Sequence, residues 1–152
     1  MIVFGIPDYD EEHKFNAIAC AVMIQRLVDR LNARRIREGK QPVYFRIGVN
    51  TGVMLAGNMG SPERMQYTVV GEAVNLASRL HSVAEKGQVA ITELFYKDKD
   101  INWRVIAKKH KSIQLRGIAE PVSTYIVNDV ASTYRSTMDY QLDEILAGKF
   151  VA

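Results

Sequence analysis

The sequence predicts an α+β domain in which helices pack over a mostly antiparallel sheet. Three observations carry that reading. A long run near the start places apolar residues at helical spacing, a shorter one does so near the middle, and short strand-length apolar segments lie between and after them. With 152 residues, 47% of them hydrophobic, the chain has the size of one core and not two.

In order along the chain, Ile2-Val3-Phe4 joins β-branched and aromatic residues before Gly5 and Pro7, which predicts a short buried strand. Asp8 and Asp10 can cap a helix, and Phe15, Ile18, Val22, Leu27 and Leu31 recur at helical spacing until Gly39 and Pro42 end the pattern. Val43, Phe45, Ile47 and Val49 alternate with Tyr44, Arg46 and Gly48, the period of a half-buried strand. Asn50-Thr51-Gly52 then offers a tight connection to a second strand over 52–56, so a hairpin is expected here. Gly60 to Glu63 reads as a loop, Tyr67 to Val70 as a brief strand, and Ala73, Leu76, Ala77, Leu80 and Ala84 as the stripe of a second helix starting at Gly71. Gln88 to Ile91, Trp103 to Ile106, Ser112 to Leu115 and Val122 to Val127 read as strands. A last helix is expected over 138–147, capped by Ser136 or Thr137, stopped by Gly148 and loosely packed.

The charge pattern excludes more than it identifies. Twenty basic and 17 acidic residues give a formal charge of +3, spread along the chain, which suits a nucleoside triphosphate but not the dense basic stripe of a nucleic-acid binder. The single cysteine, Cys20, permits no intramolecular disulfide and reads as a small core residue, pointing to a reducing, cytoplasmic setting. No apolar run approaches the roughly 20 residues that span a bilayer, so no membrane insertion by this chain is expected. His13, His81 and His110 have no metal-ligand spacing with Cys20 and are assigned no chemistry.

The most specific signal lies between Phe45 and Arg79. The elements RIGVNTG, AGNMGS and RMQYTVVGEAVNLASRL, preceded by VFGIPDYDEEHKFNAIACA, resemble in order and spacing the signature of class III adenylate and guanylate cyclase catalytic domains. The resemblance runs from Met1 to Asn128, corresponds to the C-terminal two-thirds of the family's domain, and leaves 129–152 as a tail with a helix. It implies a ferredoxin-like, class III cyclase-type sheet that is truncated at its N-terminus.

By that resemblance, two chains pair head to tail, as a homodimer or with another cyclase chain. They build sites that convert a nucleoside triphosphate into its 3',5'-cyclic monophosphate and pyrophosphate. Asn75 would orient the ribose and Arg79 would stabilise charge developing on the phosphates. The two are i and i+4 on the expected helix, so they project from one face, and a guanidinium offers several fixed donors to phosphate oxygens. Outside the motif such a pair would simply be a solvated helix surface. Thr68 falls where the family reads the purine, favouring ATP over GTP, although a hydroxyl can either donate or accept and a guanylate cyclase remains the alternative. Arg116, in Leu115-Arg116-Gly117, stands near the phosphate-binding Lys of a late family loop and would substitute for it as a substrate-binding group.

The resemblance also implies two divalent ions, Mg2+ or Mn2+, held by aspartates on strands that would precede Met1. Such ions lower the pKa of an attacking hydroxyl and neutralise a triphosphate, so this chain alone is expected to be inactive. Asp8, Asp10, Glu11 and Glu12 follow the opening strand, at the wrong end by roughly 17 Å for five residues of strand, and read better as an acidic helix start. Three readings follow: part of an adenylate cyclase, a non-catalytic regulatory subunit that pairs with a complete cyclase chain, or an interaction module without nucleotide. An unpaired apolar strand at Ile2 to Phe4 would make the isolated chain dimerise, exchange strands or aggregate.

Overall fold

The computed structural model describes residues 1–114 and 120–149. The long apolar run folds as α1 (His13–Arg37), which buries Phe15, Ile18, Ala21, Val22, Gln25, Val28 and Asn32 at three- and four-residue intervals. After it come β1 (Ile47–Gly48), β2 (Leu55–Ser61), β3 (Arg64–Val70), α2 (Glu72–Val83), β4 (Val89–Thr92), α3 (Glu93–Tyr96), β5 (Val105–Ile113), β6 (Val122–Val130) and α4 (Ser132–Leu146).

Four strands form one sheet in the order β1-β4-β6-β5, with β1 parallel to β4 and the remaining pairs antiparallel. All four residues of β4 are buried, because helices cover both faces of the sheet. On one face Val89, Ile91 and Val127 pack with Ile18 and Val22 of α1 and Met138 and Leu142 of α4. On the other, Ala90 packs with Leu80 of α2 and with Ala84. The mixed α+β architecture matches the expected class. Among the described residues no helix is long and apolar enough to cross a membrane.

Several local expectations are corrected. Residues 1–12 contain no strand, and Ile2 is 65% exposed; among the described residues nothing pairs with this segment, and a strand needs a hydrogen-bonded neighbour. The expected hairpin across Asn50-Thr51-Gly52 does not form. Residues 43–46 are not a strand: side chains of α1 bond backbone groups of Val43 and Phe45, and the Phe45 carbonyl also accepts from the Gly87 N–H at 2.8 Å. Asn32 donates to the Val43 carbonyl at 2.7 Å and accepts from its N–H at 2.9 Å, while Gln25 donates to the Phe45 carbonyl at 3.2 Å. The hairpin is instead β2–β3, turning at Ser61-Pro62-Glu63-Arg64, a separate two-stranded sheet.

The strands expected at 103–106 and 112–115 meet in one strand, β5, which spans Val105–Ile113 with register shifts after Ile106 and Lys109; Leu115 lies outside the described residues. The last helix begins six residues earlier than expected. Its start is held by the Ala131 N–H on the Arg104 carbonyl at 2.7 Å, and it is seated firmly, with Leu142 fully buried. Gly148 stops it at φ 69°, as expected of a glycine after a helix.

Candidate functional site

The motif RIGVNTG builds a seat for α2. Gly48, Asn50 and Gly52 alternate toward one side, and each meets the helix. A Cβ on Gly48 would lie 2.2 Å from the Ala77 carbonyl oxygen, one on Gly52 would lie 2.9 Å from the Ala73 Cβ, and Asn50 donates to the Ala73 carbonyl at 3.1 Å. The small residues let backbone approach backbone, and the asparagine adds a second hydrogen bond to a carbonyl of the first turn, tying strand to helix. Gly71, at φ 152°, then turns β3 directly into α2.

With Leu80 and Val83 buried against the sheet, the opposite side of α2 faces solvent. Asn75 and Arg79 both lie there, exposed. Among the described residues neither side chain has a hydrogen-bond or ion-pair partner, so both are free to meet a ligand. Thr68 sits on β3, half-buried and opposite Gly57. A Cβ on Gly57 would meet nothing within 4 Å, so the face the two residues share opens onto free space. The fold therefore brings Thr68, Asn75 and Arg79 onto one strand-turn-helix unit. Arg116 lies outside the described residues.

Asn75 and Arg79 stand on open surface, Thr68 is half-buried, and none of the three lines either of two concavities. One, of about 310 Å3, is lined by Asn50, Thr51, Thr92, Leu94, Phe95, Lys97 and Asp98. The other, of about 650 Å3, lies at the C-terminal end of α2 and includes Arg46, Lys86 and Lys111. The sequence reading did not single out these cations; the alternation that set Tyr44 and Arg46 on the side opposite Phe45 and Ile47 was the available signal.

The acidic residues near the start do not make a metal centre. Among the described residues no three His, Cys, Asp or Glu side chains group closely enough to hold an ion. Asp10 accepts from the Glu12 N–H and from Asn16, each at 2.9 Å, and Glu12 pairs with Arg104. The cluster stands just before α1, whose first turn contains no acidic residue. Its charges act from the flank of the helix and on neighbouring side chains.

Comparison with known proteins agrees with this architecture. Residues 1–129 match the family described as the adenylate and guanylate cyclase catalytic domain. Adenylate cyclase 1 of Rhizobium meliloti (strain 1021) is 32% identical over 81 residues, 53% of this chain and 12% of that protein. The crystal structure of the guanylyl cyclase Cya2 superposes with a TM-score of 0.75 at 33% identity, covering 86% of this chain and 66% of its own. That of the adenylyl cyclase CyaB from P. aeruginosa gives 0.75 at 30% identity, covering 85% and 66%. The chain thus spans about an eighth of that curated relative and about two-thirds of each solved domain. The α2 seat, the strand-turn-helix unit and these matches lead to one conclusion: the chain belongs to the adenylate and guanylate cyclase catalytic domain family.

Proposed function

We propose that this chain supplies the nucleotide-orienting half of an adenylate cyclase site, completed by a second cyclase chain, which converts ATP to 3',5'-cyclic AMP and pyrophosphate. The observation that carries the reading is the free, solvent-facing pair Asn75 and Arg79 on a helix fixed by glycine contacts. In the reaction the ribose 3'-oxygen bonds to the α-phosphorus, the bond from that phosphorus to the bridging oxygen breaks, and pyrophosphate leaves with the electron pair. Asn75 orients the ribose, which sets the line of attack. Arg79 places fixed N–H donors where negative charge grows, an effect largest where water is excluded. Thr68 reads the purine, its hydroxyl free among the described residues to bond a base edge. Arg116 is assigned to the phosphates on the resemblance of its loop alone.

The family is metal-dependent; Asp10 and Glu12 near the start of this chain are engaged by Asn16, the Glu12 N–H and Arg104, and the Mg2+ or Mn2+ ligands are assigned to the second chain. The isolated chain is therefore inactive in this account, and pairing is the condition for activity. Pairing is supported by the β2–β3 hairpin, a two-stranded ribbon that exposes Met65 (55%) and Tyr67 (60%) on one face and Leu55 (71%) on the other.

The likeness to the guanylyl cyclase Cya2 favours a second reading, GTP as substrate. Cyclic nucleotide formation from ATP and from GTP, by this chain mixed with a cyclase chain that keeps its metal aspartates but lacks the Asn/Arg pair, separates the two. ATP preferred by about tenfold or more supports the adenylate reading; GTP preferred replaces it. No product from either, with pairing demonstrated, rejects the catalytic reading in favour of an interaction module.

A further inference from the structure

The larger concavity, about 650 Å3, lies where the segment leading into β1, the end of α2 and β5 meet. Its charged lining is Arg46, Lys86 and Lys111 against the single carboxylate of Glu85, with Tyr44 and Ser82 alongside. Among the described residues none of these three cations has a carboxylate partner, whereas Lys14, Arg26, Arg30, Lys97 and Arg104 are each paired. The Lys86 ammonium instead stands 5.7 Å from the centroid of the Tyr44 ring, which steadies a cation without neutralising it.

Lysines on an edge strand guard it against pairing with another chain, and that accounts for Lys108 and Lys109 on β5. It does not account for Lys86, in the turn after α2, or for the convergence of three unneutralised charges in one hollow. Like charges brought together repel one another, and a hollow with low-dielectric walls focuses their field onto an anion. Ser82 shares a side of α2 with Asn75 and Arg79, so the solvent-facing side of that helix leads into the hollow.

We propose that Lys86 and Lys111, beside Arg46, form a cradle for a polyphosphate. Three cations lining one hollow suit an anion of several phosphate groups better than a single phosphate. The assignment rests on the cyclase reading for the origin of the polyphosphate, which is either the triphosphate tail of the nucleotide or the released pyrophosphate.

The test is calorimetric titration of the chain with pyrophosphate, ATP and AMP at constant ionic strength, with circular dichroism to confirm folding. Pyrophosphate and ATP are expected to bind, with AMP at least tenfold weaker. Lys86→Gln/Lys111→Gln is expected to weaken pyrophosphate by about tenfold or more. Lys40→Gln, which removes a surface lysine paired with Glu38, should leave binding unchanged. Tighter ATP identifies the substrate tail as the source, and tighter pyrophosphate the product. Equal binding of AMP and ATP, unchanged affinity in the folded double variant, or an equal loss in Lys40→Gln would overturn the cradle. The titrations involve no turnover, so silence in the cyclase assay leaves them intact, and their failure leaves the Asn75–Arg79 reading standing.

Discussion

Arg79 and Gly48 show two ways in which a single position governs this site. Arg79 is exposed and, among the described residues, makes no hydrogen bond or ion pair, so Arg79→Ala should leave thermal stability within about 0.5 kcal/mol of the parent. In the completed assembly the same change should cut turnover by about a hundredfold or more, the usual scale for losing a donor to developing charge. Gly48 is the reverse case. An added Cβ would strike the Ala77 carbonyl oxygen, so Gly48→Ala should destabilise by about 1–3 kcal/mol and displace α2, measurable as a lower urea midpoint. Arg79 was legible as a candidate through the family resemblance, since charge at helical spacing alone reads as a solvated surface, and Gly48 through its place in RIGVNTG, though the motif did not reveal its contact with α2. Gln25 and Asn32 were not legible. They are buried polar residues on the core-facing side of α1, explained by the backbone they bind, Asn32 at Val43 and Gln25 at Phe45 and Gln88. A reading based on apolar spacing chose Leu31 instead, which is 39% exposed.

Among elements, periodicity identified α1, α2, β4 and β6 because each has one consistent environment along its length. It failed where pairing decides. Residues 2–4 and 43–46 have strand composition, yet the first finds no strand partner among the described residues and the second is held by α1 side chains and the Gly87 N–H. The split expectation for β5 failed because register shifts within the strand break its alternation. The early start of α4 was hidden because it is set by groups distant in sequence: the Ala131 N–H bonds the Arg104 carbonyl, and the Tyr134 ring packs on Phe15.

A further tie, Lys14 to Asp98 at 2.6 Å, joins the first turn of α1 to the segment after α3. The hydrogen bond from Lys14, then one from the Asp100 N–H, holds the Asp98 carboxyl below its ordinary range, and the Asp98 bond holds Lys14 above its own. A carboxylate lowered in the folded state contributes stability above its unfolded pKa, about 3.9, and loses it as pH falls through the folded value. A raised lysine contributes below about 10.4 and loses it as pH rises through its folded value. The tie should therefore act between roughly pH 5 and 9 and be worth about 0.2–1 kcal/mol. Urea melts of Asp98→Asn should show that loss at neutral pH and convergence with the parent near pH 2.

For the molecule as a whole, the exposed β2–β3 hairpin and the solvent-facing Asn75–Arg79 pair lead to the same account, a unit whose chemistry is completed by a second chain. Tyr67→Arg places a charge on the hairpin surface and should weaken association by about tenfold in sedimentation while leaving the monomer folded. The most direct test is cyclic AMP formation from ATP with Mn2+, by this chain alone and mixed with a cyclase chain that keeps its metal aspartates but lacks the Asn/Arg pair. The account predicts silence from each chain alone and activity in the mixture that disappears with Arg79→Ala. Activity from this chain by itself, or activity in the mixture that survives Arg79→Ala, would contradict it.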